Sequence, residues 1–481
     1  MDIQDRHIVA IDLGTSKIAV TVARINGENV EIVYYKETPS EGVKYSTVFN
    51  ASQVSGPLAD AIRQAEAALD IKITQVVTGM PKYPIRLESS TGKIEDRGAD
   101  TDITVEDIND LKRSAQDMYP LNDHNIEAIY GSVAQSFSDG ENFQIIEKDI
   151  IGMTSDVLEG NFKIFIGRKN ALTKIDTVLK KADVVATRKY FTADTTAKAV
   201  LLDSEMENGV AMIDFGGGCT SVSIYHGSIM RHYASIPFGG KSITNDIQIE
   251  SEGSIDRELA ENIKLAFGAC MPEKLQNLSE KIIHIKSENG EAEKKLPVKY
   301  LSEIITARVE EIMMAILYEI QRSGFADKLR SGIVVTGGCA QTANLANFIG
   351  EISGYRVRTG YPRNLFSCQD CEGISETSAA TSLGLIIAAL GDNTINCAVS
   401  ADSPVPAAAA AEAEPECAAD GQLFPDEPVE TAPADGGAKP PKPHKTPKGP
   451  KVTWTNPFVK IGNLWENIYE SVNQGIENEE V

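Results

Sequence analysis

VAMIDFGGGCTSVSIY, residues 210–225, is an apolar run, an aspartate, three glycines, a small hydroxylated residue and then alternating apolar and polar positions. Val210, Met212 and Ile213 suit a buried strand. Val222 and Ile224 against Ser221 and Ser223 give the period of two expected of a returning strand with one face in the core. The stretch therefore reads as a β-hairpin turned at Gly216, Gly217 and Gly218. Glycines there are free to take positive φ and bring several N–H groups close to a bound anion, the way a glycine-rich loop cradles phosphate, with Thr220 adding a hydroxyl. Asp214 ends the first strand facing the same space. An acidic side chain beside phosphates acts through Mg²⁺, often with water between, because that ion keeps part of its hydration shell.

The design occurs twice. Residues 8–24, IVAIDLGTSKIAVTVAR, place Asp12 where the later hairpin has Asp214, with Gly14 in the turn and Thr15, Ser16 and Lys17 as further phosphate-binding candidates. Two such hairpins predict two similar domains facing one nucleotide. A dinucleotide fingerprint and a P-loop are both excluded locally, since each needs its glycines to open a helix and here strands follow both turns. A third piece, GIVVTGGCAQTANLANFI at 332–349, runs a short buried strand into Gly337 and Gly338 and then a helical pattern. Backbone held that close to a helix start accepts a flat base or sugar.

Together IDLGTS, IDFGGGCTS and VVTGGCAQ resemble the two phosphate loops and the adenosine loop of the actin/Hsp70/sugar-kinase ATPase fold, in the usual order. Within that superfamily DRELAENIKLAFG, residues 256–268, is similar to a helix of the bacterial division protein FtsA. The resemblance covers about residues 5–395 and the last helix. It implies an α/β, actin-like ATPase fold: two similar αβ domains around a nucleotide cleft, inserted subdomains, a disordered C-terminal linker and a terminal amphipathic helix. It implies ATP with Mg²⁺ held by Asp12 and Asp214, and it sets Glu261 and Lys264 near the ribose and base. Spacing alone favours an exposed i, i+3 ion pair, and it is the resemblance that reverses this reading.

Composition bounds the reading. The 481 residues are 42% hydrophobic and 24% charged, enough for more than one core. A formal net charge of −23 argues against nucleic-acid binding, which needs Lys and Arg on phosphates. No signal-peptide pattern and no apolar run of roughly 20 residues stands in the chain, so a cytoplasmic protein with reduced thiols is expected. Cys368 and Cys371 form a single CxxC with no second ligand pair nearby, which reads as ordinary loop cysteines.

In order, residues 1–83 are expected to form subdomain 1A with the first phosphate loop, 84–165 an inserted α+β subdomain 1C, and 166–197 the return to 1A. Residues 198–240 would carry the second phosphate loop in 2A, 241–301 an insert 2B, 302–365 the adenosine loop, and 366–397 the end of 1A. Helices are predicted over 54–68, 104–118, 172–181, 192–202, 301–323 and 378–390, the last rich in Ala, Ser and Gly for close packing between the halves. Relatives in the superfamily orient the attacking water with Glu or Gln near the start of the 192–202 helix. Thr192-Ala193 offers neither, and Asp194 reads as a first-turn helix residue, so ATP binding with slow or no hydrolysis is expected.

Residues 398–453 read as a spacer, acidic and Pro/Ala-rich up to Ala438 and then basic over Lys439 to Lys451. Over 454–481 Phe458, Ile461, Leu464, Trp465, Ile468, Tyr469 and Val472 share one helical face behind an Asn456-Pro457 start, an amphipathic helix seeking an apolar surface. The resemblance implies membrane lipid there, the C-terminal tail of FtsZ on 2B, other division proteins on 1C, self-association into filaments, and a place at the septum on the inner face of the cell membrane. A pilus-assembly scaffold with an FtsA-like core and a small-molecule kinase of the same fold are the alternatives.

Overall fold

The computed structural model describes every residue except 1–5, 28, 99–100, 118–120, 122, 252–254, 276–279, 286–293, 369–370 and 401–481. The calls on the spacer beyond Ser400 and on Phe458, Ile461, Leu464, Trp465, Ile468, Tyr469 and Val472 lie outside the described residues.

Two sheets repeat one strand order. The first runs Asn29–Pro39, Lys17–Asn26, Arg6–Leu13, Gln75–Gly79 and Val185–Tyr190, with the short Ser367–Cys368 added outside Asn29–Pro39. The second runs Ile229–Ile236, Thr220–His226, Val210–Phe215, Ile333–Thr336 and Val357–Thr359. In each, three strands meander antiparallel and two further strands join parallel. Parallel neighbours need crossover helices that cover the faces, so the strands become continuous apolar runs. Ile8 to Ile11 and Val210 to Ile213 are accordingly fully buried.

Burial departs from the sequence reading at the returning strand. Alternation predicted a wet face for Ser221 and Ser223, yet both are buried, and Ser223 Oγ has no hydrogen-bond partner. The long helix Val298–Arg322 packs against this strand and takes the place of solvent. Its Ile305, Val309, Ile312, Met313 and Ile316 are buried at helical spacing, which settles Met313 as core.

Helices Thr192–Val200 and Ala380–Leu390 pack on one another between the two sheets. Gly384 permits it, because a Cβ there would lie 2.3 Å from the Thr195 carbonyl oxygen. The first of these helices stops at Val200, two residues short of the sequence estimate.

Strands Ile85–Ile94, Leu158–Arg168 and Glu127–Ser138 form a separate three-stranded sheet, with Leu158–Arg168 in the centre. Helix Val105–Asp117 lies on it through Ile108, Leu111 and Ala115, which join Phe137, Phe162 and Ile164 in a second core. Thr104 and Asp107 close that helix's start reciprocally: the Asp107 amide donates to Thr104 Oγ1 at 3.2 Å and the Thr104 amide to Asp107 Oδ2 at 2.7 Å. Between the second hairpin and the long helix stand helices Gly240–Glu250 and Arg257–Phe267 and the hairpin Ile282–Ile285 with Lys294–Pro297. The CxxC falls partly on an edge strand, since Cys368 pairs with Ile32. No group of three or more His, Cys, Asp or Glu side chains that could hold a metal ion occurs among the described residues.

Candidate functional site

The two hairpins close with the same bond. The Gly14 amide donates to the Lys17 carbonyl at 2.9 Å and the Gly216 amide to the Cys219 carbonyl at 3.0 Å. Asp12 and Asp214 each stand two residues before that glycine, opposite Ala19 and Ser221. The tips then meet: a Cβ on Gly217 would lie 2.1 Å from Ser16 Oγ, and one on Gly218 2.5 Å from Thr15 Oγ1. Gly216, Gly217 and Gly218 are absent from the positive-φ residues, which corrects the reason given for them in the sequence. Gly217 and Gly218 are glycines because another hairpin occupies the space of their side chains, and a Cβ on Gly216 would lie 2.9 Å from the Cys219 carbonyl oxygen of its own hairpin; none of the three is there because the turn is left-handed. Among the described residues the amides of Thr15, Ser16, Gly217 and Gly218 make no hydrogen bond, leaving four donors at the junction.

The hydroxyls and Lys17 have protein partners. Thr15 Oγ1 accepts from the Ser46 amide at 3.0 Å, and Thr220 Oγ1 donates to the Phe238 carbonyl at 2.8 Å. Lys17 pairs with Glu37, whose carboxylate also accepts from Tyr35 and, at 3.2 Å, from Ser378. Burial works against Glu37's charge, but the bonds from Lys17 and Tyr35 prevail and hold its carboxyl below the usual range.

The aspartates differ. Asp214 is buried and ion-paired to Lys82, Oδ2 to Nζ 2.5 Å, and Lys82 also donates to Thr381 Oγ1 at 3.2 Å. Asp12 carries no side-chain hydrogen bond among the described residues. Burial raises its pKa above the usual carboxylate value, Lys82 and Lys17 pull it back, and Asp214 adds to the rise.

The third side is built on Gly337, the only one of the site's named glycines at positive φ, +89°. A Cβ there would meet Asp214 Oδ1 and the Phe215 carbonyl oxygen, each at 2.6 Å. Gly338 starts the 3₁₀ turn Gly338–Gln341 with nothing near its Cβ position, and Cys339 Sγ donates to the Gly216 carbonyl at 3.4 Å. Glu261 and Lys264 are paired at 2.7 Å, as an i, i+3 ion pair would be. They are also docked: Lys264 Nζ donates to the Gly240 carbonyl at 3.0 Å and to Thr244 Oγ1 at 2.8 Å. Gly240 itself lies against Cys339 and Gly217, so the pair stands beside the junction of second hairpin and third loop.

Three residues of the site went unread in the sequence. Lys82 and Thr381 carry no motif. Lys241 follows Gly239-Gly240 at a helix start, a recognisable pattern, and its Nζ donates to the Thr15 carbonyl at 2.5 Å, joining the helix Gly240–Glu250 to the first hairpin. At the water-orienting position, Asp194 is paired with Lys198 at 2.8 Å in an i, i+4 bridge, and Thr192 Oγ1 donates to the Met80 carbonyl at 3.2 Å.

Two meandering sheets in the same order, glycine hairpins tip to tip and a loop closing the third side define an actin-like ATPase fold. Among solved structures, the PilM-PilN type IV pilus biogenesis complex is similar in fold, with a TM-score of 0.55 over 79% of this chain and 98% of that chain, at 13% identity. The family model for cell division protein FtsA matches residues 211–384. Cell division protein FtsA of Enterococcus faecalis is 30% identical over 362 residues, 74% of this chain and 79% of that protein. That of Neisseria meningitidis serogroup B is 29% identical over 393 residues, 81% and 91% of the two chains. The chain belongs to the FtsA family of cell division proteins. No helix among the described residues is long and apolar enough to cross a membrane.

Proposed function

We propose that this division protein binds ATP in the cleft between its hairpins and tethers FtsZ polymers to the inner face of the cytoplasmic membrane at the septum. The observation that carries the nucleotide reading is the meeting of the two hairpins: four amides without partners converge where Asp12 and Asp214 end their strands. Thr15, Ser16, Gly217 and Gly218 would take the phosphates through their backbone amides, in turns that Gly14 and Gly216 close. Glu261, Lys264, Gly337 and Gly338 would take the adenosine.

The donor set fits Mg²⁺. Asp12 is a carboxylate without a hydrogen bond, and a hydrated hard cation supplies water protons to such an oxygen. Asp214 would share in it from its pair with Lys82. The ion would neutralise the phosphates; the chain's own residues bind and orient the nucleotide. Because Asp194 is occupied by Lys198 and Thr192 by a carbonyl, no side chain there is placed to orient water. Binding would therefore outrun turnover, and polymerisation would follow ATP occupancy.

Residues 249–300 carry the exposed apolar side chains Ile249, Leu259, Leu265, Phe267, Ile282 and Tyr300, which supports docking of the FtsZ tail there. The separate sheet of Ile85–Ile94, Leu158–Arg168 and Glu127–Ser138 would serve contacts with other division proteins and with further copies of the chain. The tether itself rests on the sequence of 454–481. Burying Phe458, Ile461, Leu464, Trp465 and Ile468 is worth roughly 1.5–3 kcal/mol per large side chain before ordering costs, and survives salt. Attraction of Lys439 to Lys451 to anionic lipid is screened over roughly 8 Å at physiological salt. Co-sedimentation with anionic liposomes and FtsZ tests the reading. Trp465→Glu is expected to leave both protein and FtsZ in the supernatant, and neutralising the five lysines to weaken pelleting at low salt only. Pelleting of Trp465→Glu at wild-type levels would reject the apolar tether.

A further inference from the structure

Lys82 follows the strand Gln75–Gly79 in the turn Met80-Pro81-Lys82-Tyr83-Pro84. Its backbone is held on both sides: its amide donates to Ser46 Oγ at 3.2 Å, in the turn between Val43–Lys44 and Thr47–Val48, and its carbonyl accepts from Tyr233 OH of the second sheet at 2.8 Å. Its side chain is 15% exposed and that of Asp214 6%. An ammonium so enclosed is costly unless charge and hydrogen bonds compensate it. Here the Asp214 carboxylate and the Thr381 hydroxyl compensate it, so Lys82 is a cation fixed at the strand end of the second hairpin.

Two of its three donors are spent, on Asp214 Oδ2 and Thr381 Oγ1. The third has no protein acceptor among the described residues. One cation against two carboxylates leaves the junction negative, which opposes a polyphosphate unless further positive charge is at hand. Lys17 gives one donor to Glu37 and Lys241 one to the Thr15 carbonyl. Lys82 is the ammonium bonded to a strand-end aspartate, Asp214, and it keeps one donor for a ligand.

We propose that Lys82 is a phosphate ligand for a bound nucleoside triphosphate, its free donor taking a terminal phosphate oxygen so that binding keeps a component independent of Mg²⁺. This rests on the ATP reading above. In that role Lys82 and the ion divide the counter-charge, and the Asp214 pair positions the ammonium.

The test is ATP titration of the full chain in Mg²⁺ and in EDTA. Wild type is expected to lose no more than about tenfold in affinity on removing the ion, while losing one charge-assisted contact costs about 10- to 100-fold. Lys82→Gln, whose amide still donates to Asp214, is expected to lose more than about 100-fold in EDTA. Lys82→Arg should behave as wild type. Melting of each ligand-free variant verifies folding, and the wild-type comparison needs no variant. A wild type whose ATP binding collapses in EDTA, or a Lys82→Gln variant with wild-type dependence on the ion, would overturn the assignment. No ATP binding by wild type in Mg²⁺ would instead overturn the nucleotide reading beneath it.

Discussion

The two hairpins share a closing bond, a strand register and an aspartate, and they divide the work differently. The first, Asp12-Leu13-Gly14-Thr15-Ser16-Lys17, keeps its side chains. The second, Asp214-Phe215-Gly216-Gly217-Gly218-Cys219, gives them up so that Thr15 and Ser16 can fit. Their aspartates differ as well, Asp12 being without a hydrogen bond among the described residues and Asp214 paired through one oxygen with Lys82. Repetition of a motif thus fixes where a charge sits, while the surrounding packing decides whether that charge is committed to the fold or left for a ligand.

The largest effect is expected at the tips. Gly218→Val drives bulk into Thr15, which is itself buried, and should reduce ATP affinity by more than about 100-fold by parting the donors. Gly338→Val adds bulk to open space and should cost far less, as nucleotide titration of the two variants will reveal. Equal losses would mean that steric bulk anywhere in the cleft matters, not the fit of tip to tip.

The aspartates should separate in stability. Asp214→Asn strands Lys82 in a closed site and is expected to cost about 3 kcal/mol in urea unfolding. Asp12→Asn removes a charge that burial disfavours and should stabilise the ligand-free protein, by roughly 2–4 °C for each kcal/mol regained. The sign with pH follows from Asp12's raised pKa. Its contribution to stability is complete below the unfolded carboxylate value near 4 and is lost as pH rises through the folded value. The advantage of Asp12→Asn should therefore be widest at neutral pH and shrink towards about pH 4.

The smallest effect concerns turnover. Asp194→Ala breaks an exposed i, i+4 bridge worth about 0.3–0.5 kcal/mol. A coupled phosphate-release assay should find hydrolysis slow in wild type, far below the roughly 10 s⁻¹ typical of enzymes, and unchanged in the variant. A marked fall would make Asp194 part of the machinery.

What the sequence made legible was local. Apolar runs, aspartates and glycines within one hairpin are neighbours in the chain, so Asp12, Asp214 and the turns are readable from order alone. Lys82 is not, because its partner is 132 positions away and nothing in Met80-Pro81-Lys82-Tyr83-Pro84 repeats. The buried Ser221 and Ser223 misled for a related reason: period two describes a strand, whereas the helix Val298–Arg322 on its second face belongs to another part of the chain. The glycines of the second hairpin were found for the wrong cause, since close approach and positive φ select the same residue. Glu261 and Lys264 form the ion pair that their spacing predicts, and Lys264 also docks on the Gly240 carbonyl beside the second hairpin.

The most direct test of the central claim, that both hairpins serve one nucleotide, is calorimetric titration of ATP with Mg²⁺ into wild type, Asp12→Asn and Asp214→Asn. The account predicts one ATP per chain in wild type and at least about tenfold weaker binding in each variant, the loss of one charge-assisted contact. Unchanged affinity in either variant would contradict it, because one hairpin would then hold the nucleotide without the other.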